Sequence, residues 1–173
     1  MSLAFHIGTA FLLFLILKTM LGSRIIPPSP LLEKGVEGGF VPLASALIFA
    51  VHPFNSEVVN YITARSSVMS GFFYLLAFYC WVRFRGEKLE DRSKTKSNIL
   101  PLTSYLYLSS LIAFLLGMLS KELVITLPAV LLLYDIYFIP ATGGDLYERL
   151  RGRLKMSASI IPFILMIAIP YII

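Results

Sequence analysis

The sequence predicts an all-α fold, a polytopic integral membrane helical bundle with about six membrane-spanning helices. Of its 173 residues, 57% are hydrophobic and only 14% are charged. A soluble domain of this length needs more polar surface than that to cover its core. In addition, six nearly uncharged runs follow one another along the chain, at residues 3–17, 40–51, 67–82, 99–120, 123–139 and 156–173.

The lengths of these runs support a single transmembrane domain over residues 1–173. A helix that crosses the hydrocarbon layer needs about 20 residues, with about 17 as the lower limit. The last four runs meet or approach this length once their flanking residues are included. The first run is slightly short, and the second, at residues 40–51, crosses only with help from its flanks.

The distribution of positive charge predicts the topology. Thirteen of the 15 Lys and Arg residues lie in three alternate connecting segments, at residues 18–39, 83–98 and 140–155. Cytoplasmic loops of membrane proteins carry an excess of Lys and Arg, so these three segments are predicted to be cytoplasmic. Residues 83–98 are accordingly interpreted as a cytoplasmic basic loop. This explanation accounts for the net charge of +5, so nucleic acid is not an expected partner.

The two remaining cations, Arg65 and Lys121, fall on the opposite, outer face. Ionisable residues that insertion does not require are costly, and they usually face a protein interior or a watery cavity. The two short outer segments, which also contain His52, Glu57 and Glu122, are therefore predicted to carry the functional residues.

The first outer segment, residues 52–66, is predicted to form an interfacial helix. Pro53 is tolerated in a first helical turn, and Glu57, Tyr61 and Arg65 share one face at i, i+4 and i+8. The alternative is an ordinary interfacial helix whose charged groups are only solvated.

The second outer segment is the short stretch 119-LSKEL-123, where Ser120, Lys121 and Glu122 separate two long apolar runs. This spacing predicts a helical hairpin. Lys121 and Glu122 are adjacent in sequence and point to different sides of a helix, so they are not expected to pair. The alternative is a charged turn that marks the membrane boundary.

The two segments together resemble a family of membrane glycosyltransferases. The matching sequences are 49-FAVHP-53, 61-YITAR-65, 119-LSKE-122, 126-TLP-128 and 131-LLLYD-135. They are similar to the GT-C type membrane domain of the transmembrane-and-tetratricopeptide-repeat, protein O-mannosyltransferase-like, family. The residues that carry the match are His52, Pro53, Glu57, Val58, Ile62, Arg65, Ser120, Lys121, Glu122, Thr126, Leu127, Pro128 and Asp135, and His6 matches in the preceding span.

The resemblance implies a module that transfers a sugar from a polyprenyl-phosphate donor to an outer-face acceptor, with a protein as a candidate acceptor. In that family the catalytic base is an acidic residue in the first outer loop, and a repeat array usually follows the membrane domain. Here the first acidic residue, Glu33, lies in a predicted cytoplasmic segment. The expectation is therefore a central, partial GT-C-like module without the upstream catalytic loop and the downstream repeat array. It would be inactive as this fragment, with its catalytic residue unknown.

Sugar transfer of this kind needs cations that stabilise the leaving phosphate as well as a base. Arg65 and Lys121 suit the phosphate, because Arg binds it bidentately and Lys as a point charge. Glu57 is expected to orient Arg65 or bind the acceptor, and Glu122 has the same candidate role. His52 is a candidate for binding the donor phosphate or a divalent metal, although one His without a second nearby ligand is weak evidence for a metal. Asp135 and His6 are interpreted as structural.

A different class of function remains open from the sequence: a non-catalytic membrane scaffold subunit that packs against a larger complex. An outer-loop Asp encoded upstream in the same reading frame would favour the transferase, and a genuine start at Met1 would favour the scaffold. A transporter is less well supported, because charged residues inside the spans are nearly absent. Membrane lipid and a lipid-linked sugar are the other expected partners.

Overall fold

A computed structural model describes residues 2–22, 39–53, 65–93, 100–138 and 158–167. The all-α prediction is confirmed for these residues. The elements in chain order are α1 (Ser2–Gly22), α2 (Phe40–Val51), α3 (Arg65–Ser93), α4 (Leu100–Ser120), a 3-10 helix (Glu122–Thr126), α5 (Leu127–Phe138), a second 3-10 helix (Ala158–Ile160) and α6 (Ile161–Ile167).

Three of the described helices are long and apolar enough to cross a membrane. The crossing segments are Ser2–Leu21 in α1, Arg65–Glu87 in α3 and Thr103–Ser120 in α4. Phe40–Val51 and Ala158–Ile167 are apolar but shorter. The described chain therefore has the character of an integral membrane protein, in agreement with the sequence prediction at this level.

The chain divides into two compact units, Met1–Val124 and Ile125–Ile173. In the first unit α1 packs against both α2 and α3, and α3 packs against α4. In the second unit α5 packs against the 3-10 helix Ala158–Ile160. The second unit buries Leu127, Leu131, Ile160 and Phe163.

Helices α3 and α4 form an antiparallel pair with a well-defined register. The buried Ser110 hydroxyl donates a hydrogen bond of 2.8 Å to the carbonyl of Ala77. Towards one end Trp81 contacts Tyr107, with ring centroids 6.3 Å apart. Towards the other end the Lys121 ammonium donates to the Ser67 hydroxyl at 2.9 Å. We call the end near Trp81 and Tyr107 the Trp81 end of the α3–α4 pair, and the end near Ser67 and Lys121 the Lys121 end.

Glycines allow close helix contacts near the Lys121 end. A Cβ on Gly8 of α1 would lie 2.7 Å from the Phe72 ring, and one on Gly117 of α4 would lie 3.3 Å from the Phe73 Cβ. Small residues let membrane helices approach closely enough for van der Waals packing. Phe72 of α3 thus packs closely against Gly8, whereas the space at Gly117 is taken first by Val124, at 3.1 Å, and then by Phe73.

The basic segment predicted as a loop is largely helical. Helix α3 continues to Ser93, so residues 83–93 of the predicted 83–98 loop are helical, and residues 94–98 lie outside the described residues. Arg85 is only 2% exposed. Its guanidinium carbon lies 4.5 Å from the Trp81 ring centroid and 5.7 Å from that of Phe84. Cation–π attraction offsets part of the cost of removing this charge from water.

Candidate functional site

The Lys121 end of the α3–α4 pair joins two segments that are far apart in sequence. Lys121 follows the last residue of α4, and its amide still donates to the Gly117 carbonyl at 3.0 Å. Its own carbonyl accepts a hydrogen bond from the Val124 amide at 3.3 Å. With the backbone held on both sides, the side chain extends to the Ser67 hydroxyl on α3. The exposed Lys121 ammonium therefore lies beside the first turn of α3, where it donates to Ser67.

Arg65 lies at the same end of the pair. It is exposed at the start of α3, two residues before Ser67. Helix geometry and the 2.9 Å bond between Ser67 and Lys121 limit the distance from the Arg65 Cα to the Lys121 Nζ to about 11 Å. Residues two apart point to different sides of a helix, so the long Arg65 side chain has to fold across the helix end to meet Lys121. The Arg65 Cα nevertheless lies well within two Debye lengths of the Lys121 Nζ, roughly 16 Å at physiological salt.

His52 lies at the end of α2, and α1 connects that end to the same region. His52 is exposed and follows the last residue of α2. The His6 ring of α1 hydrogen-bonds the Ala50 carbonyl at 3.2 Å and stacks on Phe49 with centroids 5.4 Å apart. The neighbouring Phe5 contacts Phe72 of α3 at 5.4 Å. His52 is thus at the end of the first unit that also contains Ser67 and Lys121, and His6 has the structural role that the sequence analysis expects.

Of the two acidic candidates, the described residues include Glu122 and not Glu57. Glu122 is exposed next to Lys121, and Lys121 bonds Ser67 rather than this neighbour. Glu57 lies outside the described residues, as does the range 54–64 of the predicted interfacial helix. Residues 65 and 66 of that prediction belong instead to the start of the long helix α3. Asp135, interpreted as structural, is 6% exposed in α5 of the second unit.

The structure shows contacts of two residues that the sequence did not identify as functional, Ser67 and Arg85. Ser67 was not singled out, because its contact with Lys121 depends on the α3–α4 register and leaves no local pattern. The sequence prediction places Arg85 in a basic loop, although its four-residue spacing from Trp81 indicates a cation–π contact on a helix. Residues four apart lie on the same helix face, and aromatic faces attract guanidinium groups.

In the part of the chain that the structure describes, no group of three or more His, Cys, Asp or Glu residues could hold a metal ion. Beside the Glu122 carboxylate and the His52 ring, the Lys121 end offers a ligand three hydrogen-bond donors: an ammonium, a guanidinium and a hydroxyl. Such a set favours an anion with several oxygen acceptors.

Comparisons with known proteins add no family assignment. No protein-family model, characterised protein or solved structure gives a significant match to this chain.

Proposed function

We propose that this chain is the membrane-embedded module of a GT-C type glycosyltransferase, which uses a polyprenyl-phosphate sugar as donor and an outer-face acceptor, with a protein as the candidate acceptor. Arg65 and Lys121 hold the donor phosphate. The observation that carries the proposal is the hydrogen bond from Lys121 to Ser67, which fixes the second candidate cation at the helix end where Arg65 lies.

The proposal includes a topology of about six spans, with the basic segments in the cytoplasm and the Lys121 end outside. Ser67 and Arg85 are separated by 18 residues of continuous helix, or roughly 27 Å. That length is close to the hydrocarbon thickness of about 30 Å. Arg65 and Lys121 would then lie at one interface, while Arg83 and Arg85 lie at the other, where the positive-inside rule favours them.

The chemistry assigned to the site is phosphate binding. Arg65 supplies a planar fork that can hold two phosphate oxygens, and Lys121 supplies a compact charge. Both side chains are exposed, so a lipid headgroup can reach them from the interface. Glu57, Glu122 and His52 remain candidates for orienting the cations or binding the acceptor, and the catalytic base is unassigned.

The proposal predicts that the chain binds a short polyprenyl phosphate through its anionic group. We expect the purified chain in phosphatidylcholine nanodiscs to bind radiolabelled farnesyl phosphate and to bind farnesol much more weakly. Lys121→Met should weaken farnesyl phosphate binding by roughly 10- to 150-fold, because one charged hydrogen bond contributes about 1.5–3 kcal/mol. A scintillation proximity assay measures the affinity.

Lys18→Met is the matched control, since Lys18 is an exposed lysine of a predicted cytoplasmic segment. It should bind farnesyl phosphate like the wild type. Equal binding of farnesol and farnesyl phosphate would contradict a phosphate site. Loss of binding in Lys18→Met as large as that in Lys121→Met would also contradict it, and would leave the scaffold as the better explanation.

A further inference from the structure

Ser67 is the neutral partner of a candidate phosphate-binding cation. A lysine side chain is a flexible four-carbon stem, and ordering it costs rotamer entropy. Here the stem of Lys121 is held by one hydrogen bond to a hydroxyl at 2.9 Å. A hydroxyl carries no charge, so this contact orders the ammonium without neutralising it. A carboxylate in the same place would order Lys121 but cancel most of the field that an anion feels.

The Ser67 backbone is held within α3. The Ser70 hydroxyl donates to the Ser67 carbonyl at 2.9 Å, within the helix that carries both residues. Further along the pair, the hydrogen bond from the buried Ser110 hydroxyl to the Ala77 carbonyl connects α4 to α3. The hydroxyl is thus presented to Lys121 by the fold of the α3–α4 pair. Ser66 is the exposed neighbour, and it points about 100° away around the helix.

We propose that Ser67 is a positioning residue for Lys121. Its hydroxyl holds the ammonium at the end of α3 that Arg65 begins, with the positive charge intact, so that one lipid phosphate can bridge Lys121 and Arg65. This inference rests on the proposed function, because it concerns the same phosphate site. It assigns Ser67 a role through Lys121 and not a direct contact with the donor.

A double-mutant cycle with farnesyl phosphate as the probe tests this role. Ser67→Ala should weaken binding three- to tenfold, Ser66→Ala should leave it unchanged, and Ser67→Thr should restore it to within twofold of the wild type. In a Lys121→Met background, Ser67→Ala should have no further effect, because the side chain that it positions is gone. Ser67→Asp should weaken binding more than Ser67→Ala, because it neutralises the ammonium that it holds.

The outcomes separate this inference from the proposed function. If the wild type does not bind farnesyl phosphate, both are wrong. If Lys121→Met and Arg65→Ala weaken binding but Ser67→Ala does not, only the role of Ser67 is wrong. A merely structural role predicts equal losses from Ser67→Ala in the presence and absence of Lys121, and that result would also overturn the inference.

Discussion

Replacing Arg65 with alanine in the proposed glycosyltransferase is expected to slow sugar transfer by roughly 30- to 1000-fold. This corresponds to about 2–4 kcal/mol of lost transition-state stabilisation, the usual effect of removing one donor from developing negative charge once the bound substrates exclude water from the site. Arg65→Lys should lose less, because it keeps the charge and loses only the planar fork. Both variants should still insert and fold, since Arg65 is exposed at the start of α3.

An in vitro transfer assay with a polyprenyl-phosphate sugar measures this effect. Arg83→Ala is the matched control: Arg83 is an arginine of the same helix, its side chain is 47% exposed, and it pairs with Glu87 at 3.5 Å. That variant should transfer sugar at the wild-type rate. A wild-type rate for Arg65→Ala would make Arg65 a simple interfacial charge and would remove it from the site.

Replacing Trp81 with alanine is expected to cost about 3–5 kcal/mol of folding free energy. The Trp81 side chain is 0% exposed, and its ring contacts Phe84 at 5.6 Å and Tyr107 of α4 at 6.3 Å. The substitution leaves a large cavity between the two helices. It also removes the aromatic face beneath the buried guanidinium of Arg85, which adds the cost of an exposed or poorly solvated charge.

Unfolding of the purified protein in mixed micelles by added denaturing detergent measures the loss of stability. Tyr105→Ala provides the control, because Tyr105 lies on α4 and is 70% exposed. It should change the free energy of unfolding by no more than about 0.5 kcal/mol. Trp81→Phe should be intermediate, since it keeps an aromatic ring beside Arg85. Similar unfolding of Trp81→Ala and Tyr105→Ala would mean that the α3–α4 interface does not depend on this aromatic cluster.

The helical class of this chain could be predicted from sequence because it depends on local properties. Long apolar runs specify helices in a membrane, where each backbone polar group must be satisfied within its own segment. The charged break at Lys121 was also visible, and α4 does end at Ser120. The full length of α3 could not be predicted, because a hydropathy pattern ends a membrane span at the first Lys or Arg residue. The helix continues past Arg83 and Arg85, and Trp81 and Phe84 cover the second of these arginines.

The candidate site could be predicted only as two separate segments. Sequence position and charge selected Arg65 and Lys121, but their proximity depends on how α3 and α4 pack. That packing brings the Ser110 hydroxyl to the Ala77 carbonyl and places Phe73 beside Gly117. Ser67 contacts Lys121 only because of this packing, so the sequence of either segment alone does not predict the contact.

The proposed function requires that the start of α3 beside Lys121 lies on the outer face and holds a lipid phosphate. A single-cysteine variant, Ser66→Cys with the buried Cys80 replaced by serine, tests the claim through labelling of intact cells with a membrane-impermeant maleimide. We predict that Ser66→Cys is labelled from outside and that farnesyl phosphate slows the labelling several-fold while farnesol does not. Labelling only after the membrane is permeabilised, or at a rate that farnesyl phosphate leaves unchanged, would contradict the account.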